Sequence, residues 1–153
     1  MKNETFVFNG EYRSSHDSKY EIVERFYKAF NNRDIDLMKG NWSHSESIIM
    51  ANPIGGIRKG WGEILNGYEK IFSSDHLVYV ELYDFQFHST DHMFVINGRE
   101  RGFIKTGSDQ LDLKIRTTRI YHLEGPEWRQ VAHHGSIDDP RLLEMYQKII
   151  LKK

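Results

Sequence analysis

The chain has 153 residues, of which 39% are hydrophobic and 28% charged, and its 21 Lys and Arg residues nearly balance 22 Asp and Glu. This length predicts one domain over 1–153 with its own core. The lack of cysteine excludes disulfide scaffolds, thiol nucleophiles and cysteine metal ligands. The balanced charge argues against a nucleic-acid partner, and the lack of a long apolar run argues against a membrane partner. We therefore expect a soluble, cytoplasmic protein.

The first half of the chain predicts helices. Ser18 and Glu21 form an S-x-x-E motif typical of a helix N-terminus, and apolar residues recur at helical spacing after it. Asp34 is suited to cap a second, short helix. The predicted elements are helices over 18–31, 34–38 and 61–72, with a short strand around 47–51 that ends at the Asn52–Pro53 turn.

From Leu77 onward the periodicity changes to that of strands. Between 109 and 123, Leu111 and Ile115 share one face, whereas Asp112 and Arg116 share the other. The Asp139–Pro140 pair is typical of a helix start, and an amphipathic pattern follows it. The predicted strands are 77–89, 92–105, 109–123 and 127–137, and the predicted last helix lies within 138–153.

This order of elements is typical of an α+β fold. We expect a cone-shaped α+β barrel, in which a strongly curved mixed or antiparallel sheet wraps around the N-terminal helices. Its core would cover about 18–137, with a C-terminal helix over 138–153. A strongly curved sheet capped by helices encloses a ligand pocket.

Three stretches resemble a known superfamily: IVERFYKAFNNRDIDLM, ANPIGGIRKGW and IRTTRIYHLEGPEWRQVAHHGS. They are similar to the nuclear transport factor 2-like superfamily, and within it to SnoaL-like domains and the association domain of calcium/calmodulin-dependent protein kinase type II. The resemblance implies the ketosteroid isomerase-like cone fold. It leaves two functions open: a small-molecule pocket protein with isomerase, cyclase or dehydratase-type proton transfer, and a non-catalytic binding or oligomer-assembly module.

The ketosteroid isomerase branch of this superfamily provides a test. Its proton shuttle is an Asp directly before the Pro of this turn, where this chain has Asn52, and a carboxamide takes up no proton at neutral pH. Its oxyanion pair would match Phe26 and about Thr117. The resemblance therefore implies that this chemistry is lost, although a one-residue shift in the helix would restore Tyr27 as a ligand contact.

The association-domain likeness implies two pocket arginines, Arg99 and Arg119. Two buried guanidiniums require anions, and Glu100 is expected to alternate outward. We therefore expect a small anionic ligand, most simply a carboxylate held by both arginines. The alternatives are that structural ion pairs neutralise them, with the candidate partners Glu24, Glu46, Glu63 and Glu81, or that Arg99 lies at the rim of the pocket.

His134 is the candidate acid or base, because an unperturbed imidazole titrates near pH ~6.5. Alternation and the family analogy place it inward with Gln130, and a one-residue register slip would exchange it with His133. Thr117, Gln130 and Asn52 would position the ligand. The alternatives are a hydrogen-bonded core histidine at 134 and a simple turn residue at 52.

No metal or cofactor is expected, because adjacent strand residues such as His133 and His134 point to opposite faces and cannot easily chelate one ion. Two-fold pairing is the commonest mode of association among oligomers. We therefore expect a homodimer, built largely on the outer face of the sheet.

Overall fold

The computed structural model describes residues 6–11 and 17–151. Over these ranges the helices are α1 (Ser18–Asn31), α2 (Ile35–Asn41), α3 (Gly60–Phe72) and α4 (Pro140–Leu151). The strands are β1 (Ile49–Ala51), β2 (Arg58–Lys59), β3 (Leu77–Ser89), β4 (Met93–Thr106), β5 (Asp109–Glu124) and β6 (Glu127–Ser136). The predicted α+β class is confirmed, and the long elements lie within a few residues of the predicted bounds.

All six strands belong to one mixed sheet with the order β2-β1-β6-β5-β4-β3. The β1–β6 pair is parallel and the other neighbours are antiparallel. The sheet curves without closing, and two bulges contribute to the curvature, because an extra residue bends the strand that carries it. One lies between Tyr83 and Gln86 on β3, and the other lies on β6 opposite the Ile120–Tyr121 step of β5.

The first helix packs its apolar side into the concave face of the sheet, where Val23, Phe26 and Tyr27 are buried. Its N-cap is Asp17, whose carboxylate accepts a hydrogen bond from the Lys19 backbone at 2.9 Å. The N-cap therefore lies one residue before Ser18, the predicted cap. Ser18 Oγ instead accepts a hydrogen bond from Trp128 Nε1 at 3.1 Å, which ties the helix start to β6.

At the N-terminal end, Phe8 forms a two-way backbone bridge with Leu82. The remaining parts of the predicted N-terminal and C-terminal segments, 1–5, 12–16 and 152–153, lie outside the described residues. At the other end, α4 contains no fully buried residue, although its apolar side packs on the core. No helix in the described part of the chain combines the length and apolarity needed to cross a bilayer.

Candidate functional site

A cavity of about 820 Å³ lies between the concave face of the sheet, α1, α3 and α4. Most of its wall is apolar, with Phe26 and Phe30 from α1 and Ile115 from β5 among the lining residues. Its volume is within the ~300–1,000 Å³ typical of small-molecule pockets. The polar side chains that line it include Asn52, Tyr68, Glu100, Arg119, His133 and Tyr146.

Arg119 on β5 is buried at this wall and is held by native partners on several sides. Its Nη2 lies 3.0 Å from Glu100 Oε2, and its Nη1 donates to Gln130 Oε1 at 2.9 Å. Tyr27 donates its hydroxyl to the same Glu100 oxygen at 2.5 Å. The Phe26 ring covers the guanidinium, with its centroid 3.6 Å from Cζ. The buried cation is therefore neutralised within the protein.

The expected orientations of Arg99 and Glu100 are both wrong. Inward residues on β4 have even numbers, as the fully buried Phe94 and Ile96 show, so Glu100 faces inward and Arg99 faces outward. The Arg99 side chain is 60% exposed and pairs with Asp84 on the surface at 2.9 Å. Of the predicted pair, only Arg119 lies at the cavity, and it is paired with Glu100; Arg58, which also lines the cavity, donates to the Glu63 carbonyl at 3.0 Å.

A hydrogen-bond network continues from Arg119 to α2. Gln130 donates from Nε2 to Asn41 Oδ1 at 3.0 Å, and Asn41 donates to the Ile22 carbonyl at 2.8 Å. Tyr27 and Gln130, the predicted ligand contacts, hydrogen-bond to other side chains of the protein. Their ligand-binding roles stay predictions.

The predicted orientations of His133 and His134 are exchanged in the structure. Trp128 and Gln130 are buried as expected, but Val131 is an extra residue in the pairing of β6 with β5. Because one extra residue reverses the alternation, His133 is buried and His134 is exposed. His133 lines the cavity, and its Nε2 lies 2.9 Å from Thr117 Oγ1.

Burial and nearby charges shift the pKa values of three ionisable groups at the wall. Burial, and secondly the charge of Arg119, lower the pKa of His133 well below its ordinary value, so its imidazole is neutral at pH 7. Burial raises the pKa of Tyr68 to about 12. Burial, and secondly the charge of Glu100, raise the pKa of Tyr146 to about 12. Both phenols are therefore hydrogen-bond donors at neutral pH.

Several polar atoms at this wall have no hydrogen-bond partner within 6–11 and 17–151. Glu100 Oε2 accepts from both Tyr27 and Arg119, whereas Oε1 accepts no hydrogen bond from the described residues. Within the same ranges, His133 Nδ1 and Asn52 Oδ1 are enclosed and also unpartnered, whereas Glu100 Oε1 is not enclosed. Asn52 also holds the predicted turn, since its carbonyl accepts from Gly55 at 3.1 Å. The cavity wall thus offers three hydrogen-bond acceptors that have no partner among the described residues.

Sequence reasoning missed the roles of Glu100 and Tyr146 at this cavity. A signal for Glu100 was present, because the alternation of Phe94, Ile96 and Ile104 on β4 makes position 100 inward. Tyr68 and Tyr146 lie in amphipathic helices, where the sequence pattern predicts that an aromatic residue packs in the core. Over the described ranges, no three His, Cys, Asp or Glu side chains come together to hold a metal ion.

A family model described as a SnoaL-like domain matches residues 20–140. No functionally curated protein matches the chain significantly by sequence. Many solved structures share the fold. One, from Thiobacillus denitrificans, is provisionally named a calcium/calmodulin-dependent protein kinase type II association domain. It is 20% identical, with a TM-score of 0.68, over 81% of this chain and 98% of that one.

Two further structures show the same likeness. One, from Streptomyces avermitilis, is provisionally named a dehydratase of the nuclear transport factor 2-like family. It is 15% identical, with a TM-score of 0.71, over 78% of this chain and 93% of that one. An uncharacterised protein with a cystatin-like fold from Caulobacter vibrioides is 14% identical, with a TM-score of 0.68, over 90% of this chain and 97% of that one. At these sequence identities the comparisons show a shared fold and nothing about activity.

Proposed function

This chain belongs to the SnoaL-like domain family, and on that premise we propose that it binds a small, neutral, largely apolar organic molecule in the cavity between its sheet and α4. The observation that carries the proposal is the pairing of Arg119 with Glu100 at the buried part of a largely apolar wall. Because the two charges cancel, the cavity has no buried cation that requires an anionic guest.

The anionic ligand expected from the sequence loses its physical basis. That expectation required two uncompensated guanidiniums, but Arg119 is clasped by Glu100 and Arg99 pairs with Asp84 at the surface. A carboxylate placed beside the free Oε1 of Glu100 would meet a like charge in a poorly solvated space. A neutral ligand with hydrogen-bonding groups avoids that repulsion.

The reaction we propose for this cavity is proton transfer, of the isomerase, cyclase or dehydratase kind. His133 is the proposed proton acceptor, because its imidazole is neutral and its Nδ1 has no partner among the described residues. In the tautomer that donates from Nε2 to Thr117, the Nδ1 lone pair is available. Tyr68 supplies a protonated phenol at the same wall.

Binding is tested by thermal shift with matched compounds on benzyl, cyclohexylmethyl and naphthylmethyl skeletons, each as the alcohol, the aldehyde and the carboxylate. We expect the neutral compounds to raise the melting temperature and the carboxylates to have little effect. Stabilisation by the carboxylates alone would contradict the proposal and restore the anionic ligand.

Proton transfer is tested by following deuterium exchange next to the carbonyl of the corresponding methyl ketones, using proton NMR in D₂O. His133→Gln should slow enzyme-dependent exchange at least ~100-fold, the usual contribution of a general base. The adjacent His134→Gln is the matched variant, because its side chain is exposed. Loss of exchange in His134→Gln with retention in His133→Gln would favour the original assignment of His134.

A non-catalytic binding or assembly module is the second candidate. It is favoured by the salt-bridged network of Arg119, Glu100 and Gln130, which satisfies these side chains without a ligand. An oligomer larger than a dimer, together with no stabilisation by any compound of the matched set, would support this candidate against the first.

A further inference from the structure

We propose that α4 completes the binding site and that its Tyr146 recognises an oxygen of the ligand, so that the cavity selects a neutral alcohol whose hydroxyl lies between Tyr146 and Glu100. This inference rests on the proposed function and adds a ligand class to it. It concerns a helix that lies almost entirely beyond the stretch matched by the family model, which ends at residue 140.

The position of α4 supports a role as one wall of the cavity. Tyr146, Ile150 and Leu151 all line the cavity, although no residue of α4 is fully buried. Gln147 donates from Nε2 to the Ile54 carbonyl at 2.8 Å, which fastens the helix beside the loop after β1. The apolar side of α4 therefore covers the cavity as well as packing on the core.

The Tyr146 hydroxyl is a donor without an acceptor in the described part of the chain. It makes no hydrogen bond with any described residue, and the charge of Glu100 reaches it strongly enough to affect its ionisation. Its raised pKa, about 12, keeps the phenol protonated throughout the physiological range. A donor of this kind at a cavity wall is suited to an oxygen atom of a bound molecule.

Glu100 supplies the complementary acceptor. Its Oε2 is occupied by Tyr27 and Arg119, which hold the carboxylate in place, and its Oε1 remains open. A hydroxyl group is both an acceptor and a donor, so it satisfies Tyr146 and Glu100 together. An ether or ketone would leave Glu100 unsatisfied, and a carboxylate would be repelled by it.

The experiment measures dissociation constants by calorimetry for three compounds on each of the skeletons named above: the alcohol, its methyl ether and the hydrocarbon without oxygen. The proteins are the wild type, Tyr146→Phe and the control Tyr83→Phe. Tyr83 is a partly buried tyrosine on the outer face of β3, so the control makes the same chemical change away from the cavity. Thermal melts establish that each variant is folded.

We expect Tyr146→Phe to lower the ether-to-hydrocarbon affinity ratio about fivefold, the effect of one lost hydrogen bond. The alcohol-to-ether ratio, which reports on Glu100, should be retained in this variant, and Tyr83→Phe should behave as the wild type. An unchanged ether-to-hydrocarbon ratio in Tyr146→Phe, or equal wild-type affinities for alcohol and ether, would overturn this inference while leaving the proposed cavity ligand intact. If no compound binds the wild type, the proposed function itself fails.

Discussion

The chemistry of the cavity depends on a few buried residues whose charges and hydrogen bonds are satisfied by other side chains of the protein. Arg119 and Glu100 are 3% and 4% exposed in their side chains, so each loses its hydration and depends on the other. Tyr27, Gln130 and the Phe26 ring provide the additional contacts that such a pair requires. Removing either charged partner is typically costly by about 3–5 kcal/mol, because it leaves an uncompensated buried charge.

His133 predicts a specific dependence of stability on pH. Its folded-state pKa is lowered well below 6.5, so below pH 6.5 the unfolded chain takes up a proton that the folded chain does not. The free energy of unfolding therefore falls with falling pH, by up to about 1.4 kcal/mol per unit, until the pH reaches the folded-state pKa. Well above pH 6.5 His133 is neutral in both states, so it no longer changes the free energy of unfolding.

Urea denaturation at pH 7.5 and 5.5 measures this contribution. When the pH falls from 7.5 to 5.5, the free energy of unfolding of His133→Gln should decrease by about 1 kcal/mol less than that of the wild type. This difference does not depend on the absolute stability of the variant. His134→Gln serves as the matched control, and it should keep the wild-type dependence because its side chain is exposed. A constant difference between wild type and His133→Gln would contradict the prediction.

At the scale of elements, bulges and close backbone approaches shape the sheet that surrounds the cavity. The extra residue Val131 on β6 turns His133 inward, and the β3 bulge includes Asp84 at a φ of 52°. Gly102 on β4 allows the strands to approach closely, since a Cβ at this position would lie 1.8 Å from the Tyr79 carbonyl oxygen. The curvature therefore depends on particular backbone positions.

Two alanine substitutions test this account of the elements. Gly102→Ala should destabilise the protein by about 1–3 kcal/mol, because the added methyl group must displace the β3 backbone. Gly62→Ala in α3 should instead stabilise it by about 0.5 kcal/mol, since a Cβ there has open space around it and alanine favours the helix. Chemical denaturation measures both, and equal effects of the two substitutions would contradict the close approach at Gly102.

At the scale of the whole molecule, the two faces of the sheet differ in what covers them. The concave face is covered by the helices and contains the cavity, whereas on the convex face the residues of β4 and β5 are exposed or only partly buried. Val95 and Ile120 are paired on that convex face and partly buried, and Met93 is 37% exposed nearby. An apolar patch on an open face is the type of surface used in two-fold association.

The predicted homodimer on this face is measured by size exclusion with light scattering. We expect a mass of twice 18.1 kDa at micromolar concentration. Ile120→Lys should shift the protein to the monomer, whereas Gln110→Lys, at the exposed start of β5, should not. A wild-type mass of 18.1 kDa would contradict the prediction.

The sequence by itself determined the class of the fold and the extent of its elements. Local signals carry this information: helical spacing predicted α1 and α3, strict alternation predicted β5, and Asp139–Pro140 predicted the start of α4. The family resemblance was likewise carried by contiguous stretches of sequence. Each of these signals depends on neighbours a few residues apart, so it survives without knowledge of the rest of the chain.

Only the tertiary structure decided which side chains meet in the cavity. Alternation along a strand gives two sets of residues but does not say which set faces inward, and one extra residue exchanges them. The bulge at Val131 exists only as a mismatch between β6 and β5, and it placed His133 rather than His134 at the wall. The partner of Arg119 was likewise decided by the pairing of β4 with β5, which joins residues distant in sequence.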